Sequence, residues 1–379
     1  MLVRVDFNVP LGSVRIVDDL KIRRTLDTIK YLVKNHAQVV LVSHLGRPSG
    51  KKVAKYSLRP VAKHLAKLLK RPVAFNQAKI GTKNFYDQIE KLKPGKVMLI
   101  ENVRFYNDEK KNAPAFAKSL AKGFDYFIND AFAVSHRKHA SVVGVAKYLP
   151  AYAGLNLLME VKNLFVIQKN PKRPLVVIIG GAKISTKIPV IKQYLPKAKH
   201  VILGGGVVTN LLWASGCKVG SSMVDKGGVR AAKGLLKYFG KKICKPVDLV
   251  IGDTKTFRKL KTVNIDEACP VLCQKGQAIY DVGPETVKEY KKRLQGARTI
   301  IWNGPLGLVE VPAFSRATNE IARAMARSRA KTYVGGGETL MAINRLGLTK
   351  KFTFVSTGGG AMLEFLQGKQ LPGLIILKK

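Results

Sequence analysis

Five apolar runs decide the fold of this chain: Val176-Val177-Ile178-Ile179-Gly180-Gly181, Val201-Ile202-Leu203-Gly204-Gly205-Gly206, Ile300-Ile301-Trp302-Asn303-Gly304, Tyr333-Val334-Gly335-Gly336-Gly337 and Phe354-Val355-Ser356-Thr357-Gly358-Gly359-Gly360. Each ends in a glycine turn, and most run on into a helical pattern. Strand, glycine turn and helix together form a phosphate-binding geometry. Glycine lets the backbone approach closely, and a helix N-terminus presents free N–H groups at the positive end of its dipole. One such turn is weak, because glycine also simply ends strands. Five in one domain, all at strand carboxyl ends, lie where open parallel sheets bind ligands.

The first half alternates strand and helix too. Strand-like runs are Leu2–Asp6, Gln38–Ser43, Lys96–Ile100 and Asp125–Ile128. A helical pattern from Leu58 to Leu69 puts Val61, Leu65, Leu68 and Leu69 on one face, and a second runs from Ala113 to Lys122 before Gly123. Alternating elements imply a parallel sheet covered on both faces, so the fold class is α/β. A strand-poor helical stretch, Gly154 to Asn170, ends at Asn170-Pro171 and marks the connector between two α/β series. Residues Gly220 to Gln277 are the least readable; a peripheral strand pair with loops is expected there.

The length of 379 residues suits two domains, and 46% hydrophobic content suffices for ordinary cores. No apolar stretch reaches membrane-spanning length, and the start Met1-Leu2-Val3-Arg4-Val5-Asp6 has no secretory pattern. Cysteines at 217, 244, 269 and 273 fit neither a disulfide framework nor a C-x-x-C metal site. Cys269 and Cys273 could face one another on a helix turn, but buried reduced thiols and a reducing, cytoplasmic compartment are expected. The net charge is +43. Three readings compete: a solvated basic surface, steering of anionic small substrates, and non-specific polyanion binding. No zinc-finger, RRM, KH or helix-turn-helix signature supports a dedicated nucleic-acid reader.

Polar residues gather just after the first-half strands: Asp6-Phe7-Asn8, Ser43-His44-Leu45-Gly46-Arg47-Pro48, Glu101-Asn102-Val103-Arg104 and Asn129-Asp130-Ala131-Phe132, then His136-Arg137-Lys138-His139. A parallel sheet brings these segments to one edge, with Arg47, Arg104 and Arg137 beside His44. Any one arginine could merely snorkel or pair with a surface acid. Three at equivalent strand ends favour a small anionic ligand, because guanidinium forks suit phosphate and carboxylate. One half thus suits a small anion and the other a nucleotide phosphate chain. Two substrates on separate domains suggest group transfer after closure that excludes water.

In these residues the chain resembles the phosphoglycerate kinase family. The segments Arg4-Val5-Asp6-Phe7-Asn8-Val9-Pro10, Ser43 to Pro48, Glu101 to Phe105, Asn129 to Phe132, Gly180-Gly181-Ala182-Lys183, Trp302-Asn303-Gly304-Pro305 and Ser356 to Ala361 carry the likeness, in that order. The resemblance implies two Rossmann-like domains with parallel sheets, joined by an interdomain helix. The expected boundaries are residues 1–153 for a 3-phosphoglycerate-binding domain, 154–170 for the helix, 171–357 for a nucleotide-binding domain, and 358–379 for a segment returning toward the first domain. It implies a hinge-bending, monomeric glycolytic enzyme of the cytoplasm. The reaction would pass a phosphoryl group reversibly between 1,3-bisphosphoglycerate with ADP and 3-phosphoglycerate with ATP, with Mg²⁺.

The resemblance also implies roles. Asp6, Phe7, Asn8, Lys21, His44, Leu45, Gly46, Arg47, Arg104 and Arg137 would bind the glycerate substrate. Lys21, Lys183, Lys187 and Gly359 would serve the moving phosphoryl group. Gly181, Lys183, Lys187, Gly205, Asn303, Glu310, Gly336, Gly337, Glu338 and Thr339 would hold the nucleotide, with Glu310 on the ribose and Glu338 at the metal. A substrate carboxylate is already ionised at neutral pH, so no general base is required; charge neutralisation and alignment suffice. Lys21 stands where the family has arginine and Glu338 where it has aspartate. Ala133 and Ala317 replace family glycines. The family's further short strand before Arg4-Val5-Asp6 is missing, so either the true start lies upstream or the first sheet has an unpaired edge. These departures motivate an alternative: a catalytically impaired homologue that binds nucleotides or polyanions.

Overall fold

A computed structural model describes residues 1–12 and 16–378. The chain divides into two compact units, Met1–Lys162 with Lys369–Lys379, and Asn163–Gly368. The dividing point falls inside the helix Leu155–Lys169, not at its ends.

In the first unit, β1 (Leu2–Arg4), β2 (Val39–Val42), β3 (Val73–Asn76), β4 (Val97–Ile100), β5 (Phe127–Asn129) and β6 (Ala151–Ala153) form one sheet in the order β3-β4-β2-β1-β5-β6. Every pairing is parallel. Alternate residues of each strand feed opposite cores, as a two-residue period requires. Leu2, Val40, Val42, Met98 and Ile100 pack on one face. Val3, Val39, Leu41, Val97 and Leu99 pack on the other. Burial of each such side chain is worth about 1.5–3 kcal/mol. The helix Arg59–Leu69 forms because Pro60 suits its first turn and Val61, Ala62 and Leu65 share a buried face. β1 lies inside the sheet, paired with β2 and β5, and the sheet's edges are β3 and β6. The last residues belong to this unit, since Gly373 N donates to Ser135 O at 2.8 Å and Lys378 N to Ala151 O at 2.8 Å.

The second unit holds β7 (Leu175–Ile179), β8 (His200–Leu203), β9 (Lys218–Val219), β10 (Asp248–Asp253), β11 (Lys259–Asn264), β12 (Val271–Cys273), β13 (Gln277–Val282), β14 (Thr299–Asn303), β15 (Lys331–Gly335) and β16 (Phe354–Ser356). The five glycine-ended runs become the five strands of one parallel sheet, in the order β16-β15-β14-β7-β8. Chain direction along the sheet reverses between β7 and β14, which makes that crevice the topological switch point.

Two expectations need correction. The stretch from Gly220 to Gln277 holds more than a strand pair with loops: β10 pairs antiparallel with both β11 and β13, β12 pairs with β9, and a helix spans Val229–Leu236. The cysteines are not all reduced. Cys217 and Cys269 form a disulfide with Cα atoms 5.5 Å apart, while Cys244 and Cys273 are free. Tertiary structure brings together residues 52 positions apart, which no local spacing rule reveals. A reducing compartment therefore loses the support it drew from unpaired thiols. Ala133 and Ala317 both avoid left-handed backbone, so their Cβ atoms add no conformational strain.

Candidate functional site

The carboxyl ends of β1, β2 and β4 carry a connected polar group. Asp6 is buried and accepts Lys21 Nζ at 2.7 Å and the Asn8 N–H at 3.1 Å. Asn8 Oδ1 accepts the Gly46 N–H at 2.8 Å, and Arg104 Nη1 donates to Gly46 O at 2.7 Å. Asn102 fixes this loop: its Oδ1 accepts from Leu45 N and Arg104 N, and its Nδ2 donates to Leu45 O and Tyr56 O. Burial alone would push the Asp6 carboxyl up, but the charge and hydrogen bond of Lys21 hold it well below the ordinary range.

His44 is buried, and burial drives its pKa well below 6.5. Its Nδ1 lies 3.2 Å from Arg4 Nη2. A guanidinium can only donate, so Nδ1 is the acceptor and Nε2 carries the proton. The Asp6 Oδ1 atom, at 3.8 Å from Nδ1, is too far for a hydrogen bond. His139 is also held neutral, at about 3, by burial and then by the charges of Arg104 and Arg4.

Arg4, Arg104 and Arg137 make the cationic centre. Burial and then the neighbouring charges of Arg4 and Arg137 lower Arg104 to about 10. The buried Nε atoms of Arg4 and Arg104 have no hydrogen-bond partner. The buried carboxylates of Glu109 and Asp6 offset part of this charge, but the orphaned N–H donors still want an acceptor, and an anion supplies one. Arg137 and Arg47 are exposed; Arg47 joins none of these contacts. Phe7 and Leu45 are core side chains, so only their backbone faces the polar group. In the sequence reading Arg4 is quoted only inside a motif and given no role. Its signal was a lone cation within the apolar strand Leu2-Val3-Arg4-Val5, where a charge requires a reason. A cavity of about 560 Å³ adjoins this group, lined by Asn8, Gly46, Lys55 and Tyr56 among others.

In the second unit the glycine turns pack against each other at the switch point. Gly180 N donates to Asn303 O at 2.9 Å, Gly181 N to Pro305 O at 2.9 Å and Gly205 N to Leu306 O at 2.7 Å. A Cβ on Gly304 (φ +92°) would sit 2.2 Å from Gly180 O. Only glycine permits both that angle and that approach. Gly336 caps the helix Gly337–Arg345 with φ 104°, and a Cβ on it would meet Gly304 N, Thr339 Oγ1 and Asn303 Nδ2 within 4 Å. Gly359 caps the helix Gly360–Leu366.

Lys187, at the start of the helix Ile188–Tyr194, reaches Asn303 Oδ1 with Nζ at 2.8 Å. Burial lowers its pKa to about 8 against the raising charge of Glu338. The structure therefore gathers Gly181, Lys187, Gly205, Asn303, Gly336, Glu338 and Thr339. Lys183, Glu310, Gly337 and Glu338 are exposed. The sequence reading passed over Asp225, which accepts from Ser185 N at 3.1 Å and has its pKa lowered in part by Lys183; it lies in the stretch whose pattern was hardest to read. A larger cavity, about 640 Å³, is lined by Trp213, Cys217, Lys218 and Cys273 at the far end of the helix Gly206–Ala214 from Gly205. It lies away from the glycine turns, whose chemistry is the better guide to the site.

Two buried carboxyls pushed up to about 7 by burial, Asp130 and Asp281, are not bases in waiting. Each is committed to backbone donors at a helix start, Asp130 to Leu157 N and Asp281 to Ala317 N.

Two parallel α/β units, one ending in cations short of an anion and the other in stacked glycine turns around a lysine, define a two-domain phosphotransferase. The family model described as phosphoglycerate kinase matches residues 1–369. Phosphoglycerate kinase of Borreliella afzelii is 43% identical over 386 residues, covering 100% of this chain and 96% of that protein. The Moorella thermoacetica enzyme is 44% identical over 380 residues, covering 100% and 95%. Among solved structures, phosphoglycerate kinase from Coxiella burnetii superposes with a TM-score of 0.79 at 39% identity, and that from Pyrococcus horikoshii with 0.87 at 31%, each covering 99% of this chain and 95% of the other. The chain belongs to the phosphoglycerate kinase family, and phosphoglycerate kinase is its enzymatic function.

Proposed function

We propose that the first unit binds 3-phosphoglycerate or 1,3-bisphosphoglycerate and the second binds ADP or ATP. The observation that carries this division is the buried arginine centre, whose Nε donors lack partners and whose Arg104 is lowered to about 10 by burial and its cationic neighbours. A trianionic or tetra-anionic sugar acid relieves that repulsion.

Arg104, Arg137, Arg47 and the Nε2–H of His44 hold the phosphate and carboxyl end of the glycerate. Asp6 and Asn8 meet its hydroxyl, with Phe7, Leu45 and Gly46 shaping the backbone around it. Asp6 also orients Lys21, whose ammonium acts on the moving phosphoryl group. Arg4 is a positioning residue: it fixes the His44 tautomer through Nδ1. On the nucleotide side, Gly181 and Gly205 let the backbone approach phosphate closely, the N–H groups of Gly336 and Gly337 cradle it, Glu310 takes the ribose, and Lys183 and Lys187 neutralise charge on the terminal phosphates. Gly359 opens a helix toward the same end. Asn303 keeps Lys187 Nζ in place, and the depressed pKa of Lys187 returns to the ordinary range when phosphate arrives.

Glu338 and Thr339, whose buried Oγ1 lacks a partner, suit a hard divalent cation carried with the nucleotide phosphates. Among the described residues no cluster of three or more His, Cys, Asp or Glu forms a cage, which suits Mg²⁺ bound partly through phosphate oxygens. When bound, that ion supplies charge neutralisation. The acceptor is a carboxylate, so no protein base removes a proton; the chain's task is alignment and electrostatics of a largely dissociative transfer. In-line transfer demands that the two bound substrates be brought together, so a hinge motion is part of the proposal, as are a monomer and a cytoplasmic, glycolytic setting.

Separate Michaelis constants test the division. Arg104→Gln should raise KM for 3-phosphoglycerate at least 10-fold and leave KM for ATP within twofold. Glu310→Ala should do the reverse. Equal rises in both constants for either variant would refute the assignment.

A further inference from the structure

The positive charge is unevenly opposed. From Thr28 to Tyr86 the chain has 59 residues with 13 Lys or Arg and no Asp or Glu. This segment folds into β2, the helix Arg59–Leu69 and the edge strand β3. On that helix Arg59, Lys63 and Lys67 recur every fourth residue, and Lys70 and Arg71 continue beyond its end, all exposed. A four-residue step along a helix is about 6 Å, so the cations form a row. None of the five has a carboxylate partner within 4.0 Å among the described residues.

We propose that this row is a docking surface for a single-stranded nucleic acid, bound through its phosphodiester backbone. Charge complementarity selects a polyanion, and a regular linear row suits a polymer bearing one negative charge per unit. A convex helix face can follow one strand, whereas a duplex presents phosphates on both sides of a groove. Membrane insertion lacks an apolar partner, since Val61, Ala62 and Leu65 of the same helix are packed in the core. At the start of the row the Arg59 guanidinium lies 5.1 Å from the Phe75 ring centroid, and its Nη2 donates to Gln77 Oε1 at 2.7 Å. It is thus held as a flat cationic plate on which a base can stack, a feature that an acidic polypeptide would not use. The row is made of side chains given no part in phosphoryl transfer.

The test is fluorescence-anisotropy titration of a labelled 20-residue oligouridylate across 50–200 mM salt. Two triple variants of equal charge change are compared: Lys63, Lys67 and Lys70 each to Glu, and, in the second unit, the exposed Lys233, Lys237 and Lys241 each to Glu. Kinase activity of both variants checks folding. Wild-type affinity should fall steeply with salt, and reversal on the helix should weaken binding at least 30-fold. It should also make the log–log salt slope shallower by about 2, at roughly 0.7 per phosphate for single strands. The second-unit variant should lose less than threefold. Equal losses in the two variants, salt-independent binding, or displacement of the RNA by an oligoglutamate at matched charge concentration would each overturn the proposal.

Discussion

Lys187 carries a conflict between stability and function that a single substitution can expose. Its ammonium is held at about 8 instead of the ordinary 10.5, chiefly by burial. A difference of about 2.5 units at 1.36 kcal/mol each means that the charged lysine costs the substrate-free protein about 3 kcal/mol at pH 7. Lys187→Met removes that cost. It also removes the hydrogen bond to Asn303 Oδ1, whose net worth is about 1 kcal/mol. The expected gain for the free protein is therefore about 2 kcal/mol. For a unit of this size that raises Tm by about 4–8 °C.

The assay is thermal or urea unfolding followed by tryptophan fluorescence, which reports this unit alone because Trp213 and Trp302 are the only tryptophans. The sign with pH follows from proton counting. Below about 8 both states hold the proton and the lysine's cost is complete. Between about 8 and 10.5 the unfolded chain keeps a proton that the folded chain has released, so wild-type stability rises with pH. The gap between variant and wild type should close over that window. The same variant should lose roughly 10²–10³ in kcat, the usual cost of deleting a preorganised donor to developing charge. A free variant less stable than wild type at pH 7, or a gap that widens above pH 8, would refute the reasoning.

Other outcomes are expected. Lys21→Arg should raise kcat about 10-fold or more with little change in stability, because the fork regains a second donor while the charge beside Asp6 is kept; steady-state kinetics decides it. Gly304→Ala should cost about 2–5 kcal/mol and weaken ADP binding, since a Cβ there meets Gly180 O at 2.2 Å with φ at +92°; calorimetry of unfolding and of ADP binding measures both. Reduction of Cys217–Cys269 should cost up to about 4 kcal/mol in the chain-entropy view of a loop this long. Thiol counting should give two free groups before reduction and four after, and tryptophan-detected urea curves give the cost.

The second sheet was legible because each of its strands, buried apart from the first residue of β8 and β15, is a run of β-branched and other apolar residues followed by glycine, a pattern local enough to read by eye. Val73–Asn76 and Ala151–Ala153 were not, because edge strands of three or four residues with partly exposed side chains carry little hydrophobic signal. The arginines at strand ends could be named from order along the chain, since parallel strands deliver their successors to one edge. Arg4 could not, because it precedes the turn and acts from inside the sheet on His44. The disulfide depends on the pairing of β9 with β12, and the role of Asp225 on its bonds to Ser185 and to Asn210 of the helix Gly206–Ala214, where no period guides the eye. Lys187 was found by its place after the glycines, but its shifted pKa belongs to the packing around it.

Coupled-enzyme measurement of ATP formed from ADP and 1,3-bisphosphoglycerate by the purified chain, with Mg²⁺ present, is the most direct trial. Steady ATP production that disappears in Lys187→Ala, with the far-ultraviolet circular dichroism unchanged, is the expected result. A folded wild-type chain that makes no ATP at saturating substrates would contradict phosphoryl transfer by these two sites.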